Sequence, residues 1–291
     1  MKFKSDDVTK GIIFAGCSFT WGQGLYYYSN METLKEPPPD SYHVHLLTDA
    51  HGMFRKTLYF PRLIANHFNT FEVSMIQNSG SEVTSFEYLK CAFSLIGPNN
   101  TYVLEKYNFN EIEYIVFQTS QPQRNTHYYD YKNSDGTIKK NCEYRHFSPE
   151  THEQFFDYLL NQTNMDFDEW YNTHIKKWFT ILKTNLKFYE SKGIKILILN
   201  WEADYIPFYK TDKWMNDRLI TFEYNNKNYD CIRTMMNENR HLHINSDYEY
   251  FETPPTDHHP SKECHRIIAD AVIKKIEETK TKKIYYDKEL I

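Results

Sequence analysis

The sequence predicts an α/β fold built on a parallel sheet. Short apolar runs alternate along the chain with segments of helical period, the succession that buries a parallel sheet under helices. The clearest instance joins a helix over about 167–192, Gly193 and the strand IKILILN at 194–200. Hydrophobic residues make up 40% of 291, and Tyr (24), Phe (20) and Trp (5) supply ample surface for a core. With only 9 Gly and 11 Pro, the composition is globular and excludes disorder over the whole chain.

GIIFAG at 11–16 reads as a buried strand ending in a tight glycine turn. The segment 54–68 carries Leu63, Ile64 and Phe68 on one face and suits a helix with Pro61 in its first turn. FEVSMI at 71–76 is the second strand. Phe86, Leu89, Phe93 and Ile96 then recur at helical spacing, with Gly97 as the stop. IEYIVFQ at 112–118 is the third strand. A polar, aromatic stretch from about Ser120 to Asp166 follows, with a short helix expected around Phe155 to Leu160. The helix over 167–192 has an apolar stripe of Trp170, Ile175, Trp178, Leu182 and Leu186. After the fourth strand, HLHIN at 241–245 is a weak fifth. The last helix begins at Pro260, with Ile268, Val272 and Ile276 facing inward.

In open sheets of this kind, ligands bind beyond the carboxyl ends of the strands. The loops after Gly16, Ile76, Gln118 and Asn200 are therefore expected on one functional edge. Two long connections, 25–53 and 120–166, leave that same edge as insertions. The expected organisation is a single domain over residues 1–291.

The net charge of −5 argues against a generally basic nucleic-acid binder. No run approaches the length of a membrane span, and MKFKSDDVTK lacks the apolar stretch of a secretory signal. Cys17, Cys91, Cys142, Cys231 and Cys264 are odd in number and widely spaced, with no C-x-x-C pair. They read as thiols of a reducing compartment, and a cytoplasmic location is the expectation.

Two segments can carry chemistry. In GCSFTWGQG, Ser18 directly follows a buried strand and a glycine turn. Such a turn presents a hydroxyl and its own N–H to the same space, as an acyl-transfer nucleophile requires. Ser18 and Thr20 can equally cap a helix or fill the turn. In TDHHPSKECH, Asp257 and His259 precede a helix opened by Pro260. An imidazole is a base near neutral pH, and a nearby carboxylate fixes its tautomer. A solvated loop with a capping Asp is the plainer alternative. His258, His259 and His265 share a spacing that can bind metal, but no Cys or carboxylate set completes a site, and no metal or cofactor is expected. Cys17 is expected to be buried packing.

Together the two chain ends resemble the SGNH/GDSL hydrolase superfamily. Gly16, Cys17, Ser18, Phe19 and Thr20 stand where that family has Gly-Asp-Ser-x-Thr/Ser; Asp257, His258, His259, Pro260 and Ser261 match its last block. The GCSFTxGxGL form, with Cys in place of Asp, resembles a subgroup found among phage and environmental sequences. The resemblance implies a flavodoxin-like three-layer sandwich with a five-stranded parallel sheet. It implies Ser18 as nucleophile and oxyanion donor, His259 as general base and Asp257 as its orienter. The family's second block is matched by Asn78, Ser79, Gly80, Ser81, Glu82 and Val83. Val83 holds the usual glycine position, unless Gly80 serves through a shifted turn. The third block, Gly-x-Asn-Asp, is absent. FQTSQPQR stands there, with Gln121 nearest the Asn position and Arg124 placed to engage an acidic substrate group or a surface partner.

The expected activity is serine-dependent ester hydrolysis through a covalent acyl-enzyme. The aromatic loops (Trp21, Tyr26, Tyr27, Tyr28, Tyr128, Tyr129 and Tyr131) make an acylated carbohydrate the expected substrate. These tyrosines serve equally to pack the loops. The competing reading, motivated by the missing third block, is a non-enzymatic module of this fold that binds glycan or protein. Neither reading calls for nucleic-acid or membrane partners.

Overall fold

A computed structural model of the chain describes residues 9–22, 25, 49–76, 82–94, 106–120, 127–132, 135–144, 164–239 and 259–281. Strand β1 (Gly11–Gly16) leads into a one-turn helix α1 (Ser18–Trp21). Helices α2 (Asp49–Leu58) and α3 (Phe60–His67) precede β2 (Phe71–Ile76). Next come α4 (Glu82–Cys91), β3 (Ile112–Gln118), β4 (His127–Lys132) and β5 (Ile138–Tyr144). They are followed by α5 (Phe167–Ser191), β6 (Lys195–Leu199), α6 (Ile206–Thr211) and α7 (Lys213–Arg218). Strands β7 (Phe222–Tyr224) and β8 (Lys227–Tyr229), α8 (Ile232–Asn239) and α9 (Lys262–Thr281) complete the order.

The chain divides into two compact units. A sheet unit comprises Thr9–Trp21 and Val73–Leu219; a helix–hairpin unit comprises Met1–Val8, Gly22–Glu72 and Ile220–Ile291.

In the sheet unit the strand order is β2-β1-β3-β6, with β1 parallel to β3 and β3 parallel to β6. Counted within this sheet the order is 2-1-3-4, so the direction in which strands are added reverses at β1. Ile13 pairs with Ile115 and Phe14 with Val116; Gln118, the last residue of β3, pairs with Leu199. Every residue of β1 is buried, as expected of a strand flanked on both edges in a helix-covered sheet. In β2, Phe71 and Val73 are buried while Ser74 is exposed, the alternation of a strand with one wetter face. Helix α4 packs on β1 and α5 on β6. Asp166 caps α5 by accepting the N–H of Glu169 at 2.8 Å. Ile175, Leu182, Leu186 and Tyr189 are its buried face. Burial pushes the Tyr189 phenol up to about 12.

The sheet has four strands among the described residues; 241–245, read as a fifth, lies outside them, as does the expected helix at 155–160. The helix expected over 54–68 is two helices. Tyr59 adopts an extended conformation (φ −81, ψ 144) between them, and Pro61 sits in the first turn of α3. The expected helix through Phe86 and Ile96 ends at Cys91, and Ala92 and Phe93 form a turn instead. The 120–166 insertion carries an antiparallel pair, β4 with β5, where a loop was expected. The 25–53 insertion ends inside α2.

In the helix–hairpin unit, α9 packs on α3 and against β7. Ile268, Val272 and Ile276 are buried, as their spacing requires. Strands β7 and β8 form a hairpin turned by Asn225 and Asn226, both left-handed at φ 49 and 59. Glu72 accepts from Arg62 at 2.8 Å and from the Tyr59 hydroxyl. Among the described residues, no helix is long and apolar enough to cross a membrane.

Candidate functional site at the strand exits

The carboxyl ends of β1, β3 and β6 carry a cluster of buried polar side chains. Thr20, Gln118, Thr119, Ser120 and Asn200 are each at most 2% exposed. Polar groups so far from water are costly unless they are hydrogen-bonded, and Thr20, Gln118, Thr119 and Asn200 are. The Thr20 hydroxyl donates to Gln118 Oε1. Gln118 Nε2 donates to Cys17 Sγ at 3.2 Å and to the carbonyl of Thr119 at 3.3 Å. The Thr119 hydroxyl donates to Asn200 Oδ1 at 2.9 Å, and Asn200 Nδ2 to the carbonyl of Glu202 at 2.7 Å. One network thus links Gln118 to the β1 exit, and a second links Thr119 to the β6 exit.

Local sequence explains the close approach. A Cβ on Gly16 would stand 2.9 Å from Gln118 Cβ, so only glycine lets the third strand pass there. Phe19 stacks on Trp201 with centroids 3.7 Å apart and planes at 12°, which fastens α1 to the segment after β6. Cys17 is buried, consistent with the packing role expected of it. Cys91, Cys231 and Cys264 are buried thiols as well.

Ser18 is the first residue of α1, immediately after the bend at Cys17, in the sheet unit. Val83, in the same unit, is the second residue of α4. His259 is half-buried in the helix–hairpin unit. Asp257, His258, Asn78, Gly80, Gln121 and Arg124 lie outside the described residues, as do Tyr26, Tyr27 and Tyr28.

Around His259 the local order comes from α9. Ser261 Oγ accepts the N–H of Cys264 at 3.2 Å and so caps the helix. His265 is fully buried and reaches α3, where its Nδ1 accepts the N–H of Phe60 at 3.2 Å and its ring stacks on Phe60. Among the described residues, its Nε2 is buried with no hydrogen-bond partner. Burial, then the nearby charge of Arg55 and the proximity of His259, pulls the His265 imidazole down to about 3. Burial likewise lowers the Arg55 guanidinium to about 10. With its Nδ1 engaged by an amide, His265 acts as a structural cap for α3. Among the described residues, no group of three His, Cys, Asp or Glu side chains is arranged to hold a metal.

The sequence reading passed over Gln118, Thr119 and Asn200. The signal available was a polar residue at the last position of an apolar strand, or just beyond it, which a core does not otherwise tolerate.

No protein-family model matches the chain, and no curated protein matches it. Among solved structures, the chain is similar to a carbohydrate esterase whose active site is described as having divergent catalytic and non-catalytic binding functions. The TM-score is 0.42 at 11% identity, covering 97% of this chain and 68% of that one. It is also similar to an acetyl xylan esterase from the rumen bacterium Butyrivibrio proteoclasticus. Here the TM-score is 0.43 at 10% identity, covering 93% of this chain and 64% of that one.

Proposed function

We propose that the chain is a serine-dependent hydrolase of the SGNH type that cleaves an ester on an acylated carbohydrate. Ser18 attacks the ester carbonyl, His259 takes its proton and passes it to the leaving alcohol, and Asp257 holds the imidazole in the productive tautomer. Water then hydrolyses the acyl-enzyme, and no cofactor takes part. The oxyanion is held by the N–H of Ser18, by the N–H of Val83 or Gly80 in the segment begun by Asn78, and by the Gln121 amide. Arg124 meets an acidic group of the substrate. The catalytic unit is one domain over residues 1–291, with 241–245 as its fifth strand.

The observation that supports this reading is the position of Ser18. It lies just beyond the carboxyl end of β1, a strand flanked by β2 and β3 in a 2-1-3-4 sheet. The chain order reverses at such a strand, and its exit is the place where doubly wound sheets bind ligands. Val83 adds support, because an N–H in the first turn of a helix has no partner within that helix.

The test is covalent labelling of the purified full chain by a fluorophosphonate, alongside hydrolysis of p-nitrophenyl acetate and of an acetylated xylo-oligosaccharide. Wild-type protein should label at Ser18. Ser18→Ala should abolish labelling and reduce turnover to background, a loss on the order of 10⁶-fold at the chemical step. Unchanged hydrolysis in Ser18→Ala would sink the proposal.

One observation favours the non-enzymatic module. The exit of β3 carries FQTSQPQR, 117–124, where Gly-x-Asn-Asp would stand, and the Gln118 amide is already engaged by Cys17 and Thr119. Saturable glycan binding by a protein that no fluorophosphonate labels would favour that reading.

A further inference from the structure

We propose that Gln118 is the positioning residue for the candidate nucleophile, and that it acts by bracing the chain on both sides of Ser18. The inference rests on the reading of Ser18 as nucleophile.

One carboxamide makes both ties. Its oxygen accepts from Thr20, two residues after Ser18, and its nitrogen donates to Cys17, the residue before it. The orientation of the amide is fixed by its third bond. The Thr119 carbonyl can only accept, so the NH₂ must face it and Cys17, leaving the oxygen for the Thr20 hydroxyl. All three side chains are buried, and no bond of the brace is exposed to competition from bulk water. Gly16 completes the arrangement, since its missing side chain is what lets Gln118 reach past the end of β1.

Gln118 is itself held on a rigid element. It is the last residue of β3, in register with Leu199 of β6, and the next residue's N–H continues that pairing by donating to the Leu199 carbonyl at 2.9 Å. The brace therefore refers the position of the Ser18 backbone to the centre of the sheet. Catalysis by an activated hydroxyl requires placement on the scale of an ångström, and such a misplacement can cost about 10²-fold. A residue in this role alters the rate of attack and leaves substrate binding alone.

The experiment uses the full-length protein with Thr20→Val, Thr20→Ser, Gln118→Met and Gln118→Glu. Thr20→Val keeps the volume and removes the hydroxyl; Thr20→Ser keeps the hydroxyl; Gln118→Glu keeps an acceptor for it. Folding is checked by near-UV circular dichroism. The readouts are the second-order rate of fluorophosphonate labelling and kcat and KM for p-nitrophenyl acetate. Thr20→Val and Gln118→Met should each lower the labelling rate and kcat by at least about tenfold with KM unchanged, and Thr20→Ser should recover most of the loss. Gln118→Glu should fall between. A merely structural role would lower the melting temperature while folded protein still labelled at the wild-type rate, and that outcome overturns the inference while the Ser18 reading stands. Wild-type protein that does not label overturns both. If Gln118→Met does not fold, Thr20→Val decides, because it leaves the other two bonds of Gln118 in place.

Discussion

At the strand exits of the sheet unit, Thr20, Gln118, Thr119 and Asn200 are buried and bonded to one another. At the head of α3 in the helix–hairpin unit, His265 is buried just as deeply, yet among the described residues only one of its two ring nitrogens is bonded. Both regions place polar atoms where water does not reach. The first meets the cost with neutral groups that match donor to acceptor, so its geometry does not depend on proton concentration. The second uses a titratable ring, so the fold gains a helix cap and with it a sensitivity to acid. A buried polar group thus acts as a fixed brace or as a weak point according to whether it can take up a proton.

That contrast is sharpened first by pH. Unfolded chain protonates a histidine near its ordinary 6.5, and folded chain protonates His265 near 3. Between those values the unfolded state holds more protons, so stability rises with pH across the window. The contribution is complete above 6.5 and is lost as pH falls towards 3. The nearby charge of Arg55 and the proximity of His259 oppose its protonation further. His265→Gln keeps an acceptor for the Phe60 amide and removes the titration. Its stability in urea should therefore vary less steeply between about pH 6 and about pH 4, by up to about 1.4 kcal/mol per pH unit. An identical slope in wild type and variant would break the contrast from the His265 side.

Asn200→Leu approaches it from the other side. The substitution leaves the Thr119 hydroxyl buried without its acceptor and takes the donor from the Glu202 carbonyl. The expected loss is about 1–3 kcal/mol by urea unfolding at neutral pH, independent of pH in the acid window. A neutral result would mean that the matched network adds little. The smallest effect belongs to an exposed pair used as a control. Lys213 reaches Asp217 at 2.7 Å on α7, but the lysine side chain is 90% exposed. Lys213→Ala should change stability by less than about 0.5 kcal/mol.

The elements legible in the sequence were those written in apolar residues. GIIFAG, FEVSMI and IEYIVFQ mark β1, β2 and β3 to the residue, because each is a short run rich in apolar and β-branched or aromatic residues. Helix α5 was equally plain, with Asp166 before it and Gly193 after it. The hairpins were not. HYYDYK and IKKNCEY are too polar to signal a strand, and pairing with each other is what makes them one. In β7–β8 the strands are three residues each, and the Asn225–Asn226 turn was the one cue in the sequence. The helix over 54–68 failed at Tyr59, where Pro61 restarts the chain with a new first turn.

Around the candidate site, the turn that carries Ser18 was legible because the strand and glycine before it are a local pattern. Gln118 was not, and the reading passed over it for Gln121. As a strand residue it looked like the end of a core element, and its role exists only once β3 lies beside β1. Cooperation of this kind between distant segments leaves no periodicity to read.

The brace on the Ser18 segment has one more consequence. Gln118 belongs to a strand, and among the described residues its side-chain bonds go to Thr20, Cys17 and Thr119, none of them in the connections 25–53 or 120–166. A change confined to those connections removes none of the three, so variation can accumulate there while the strand-borne contacts stay intact.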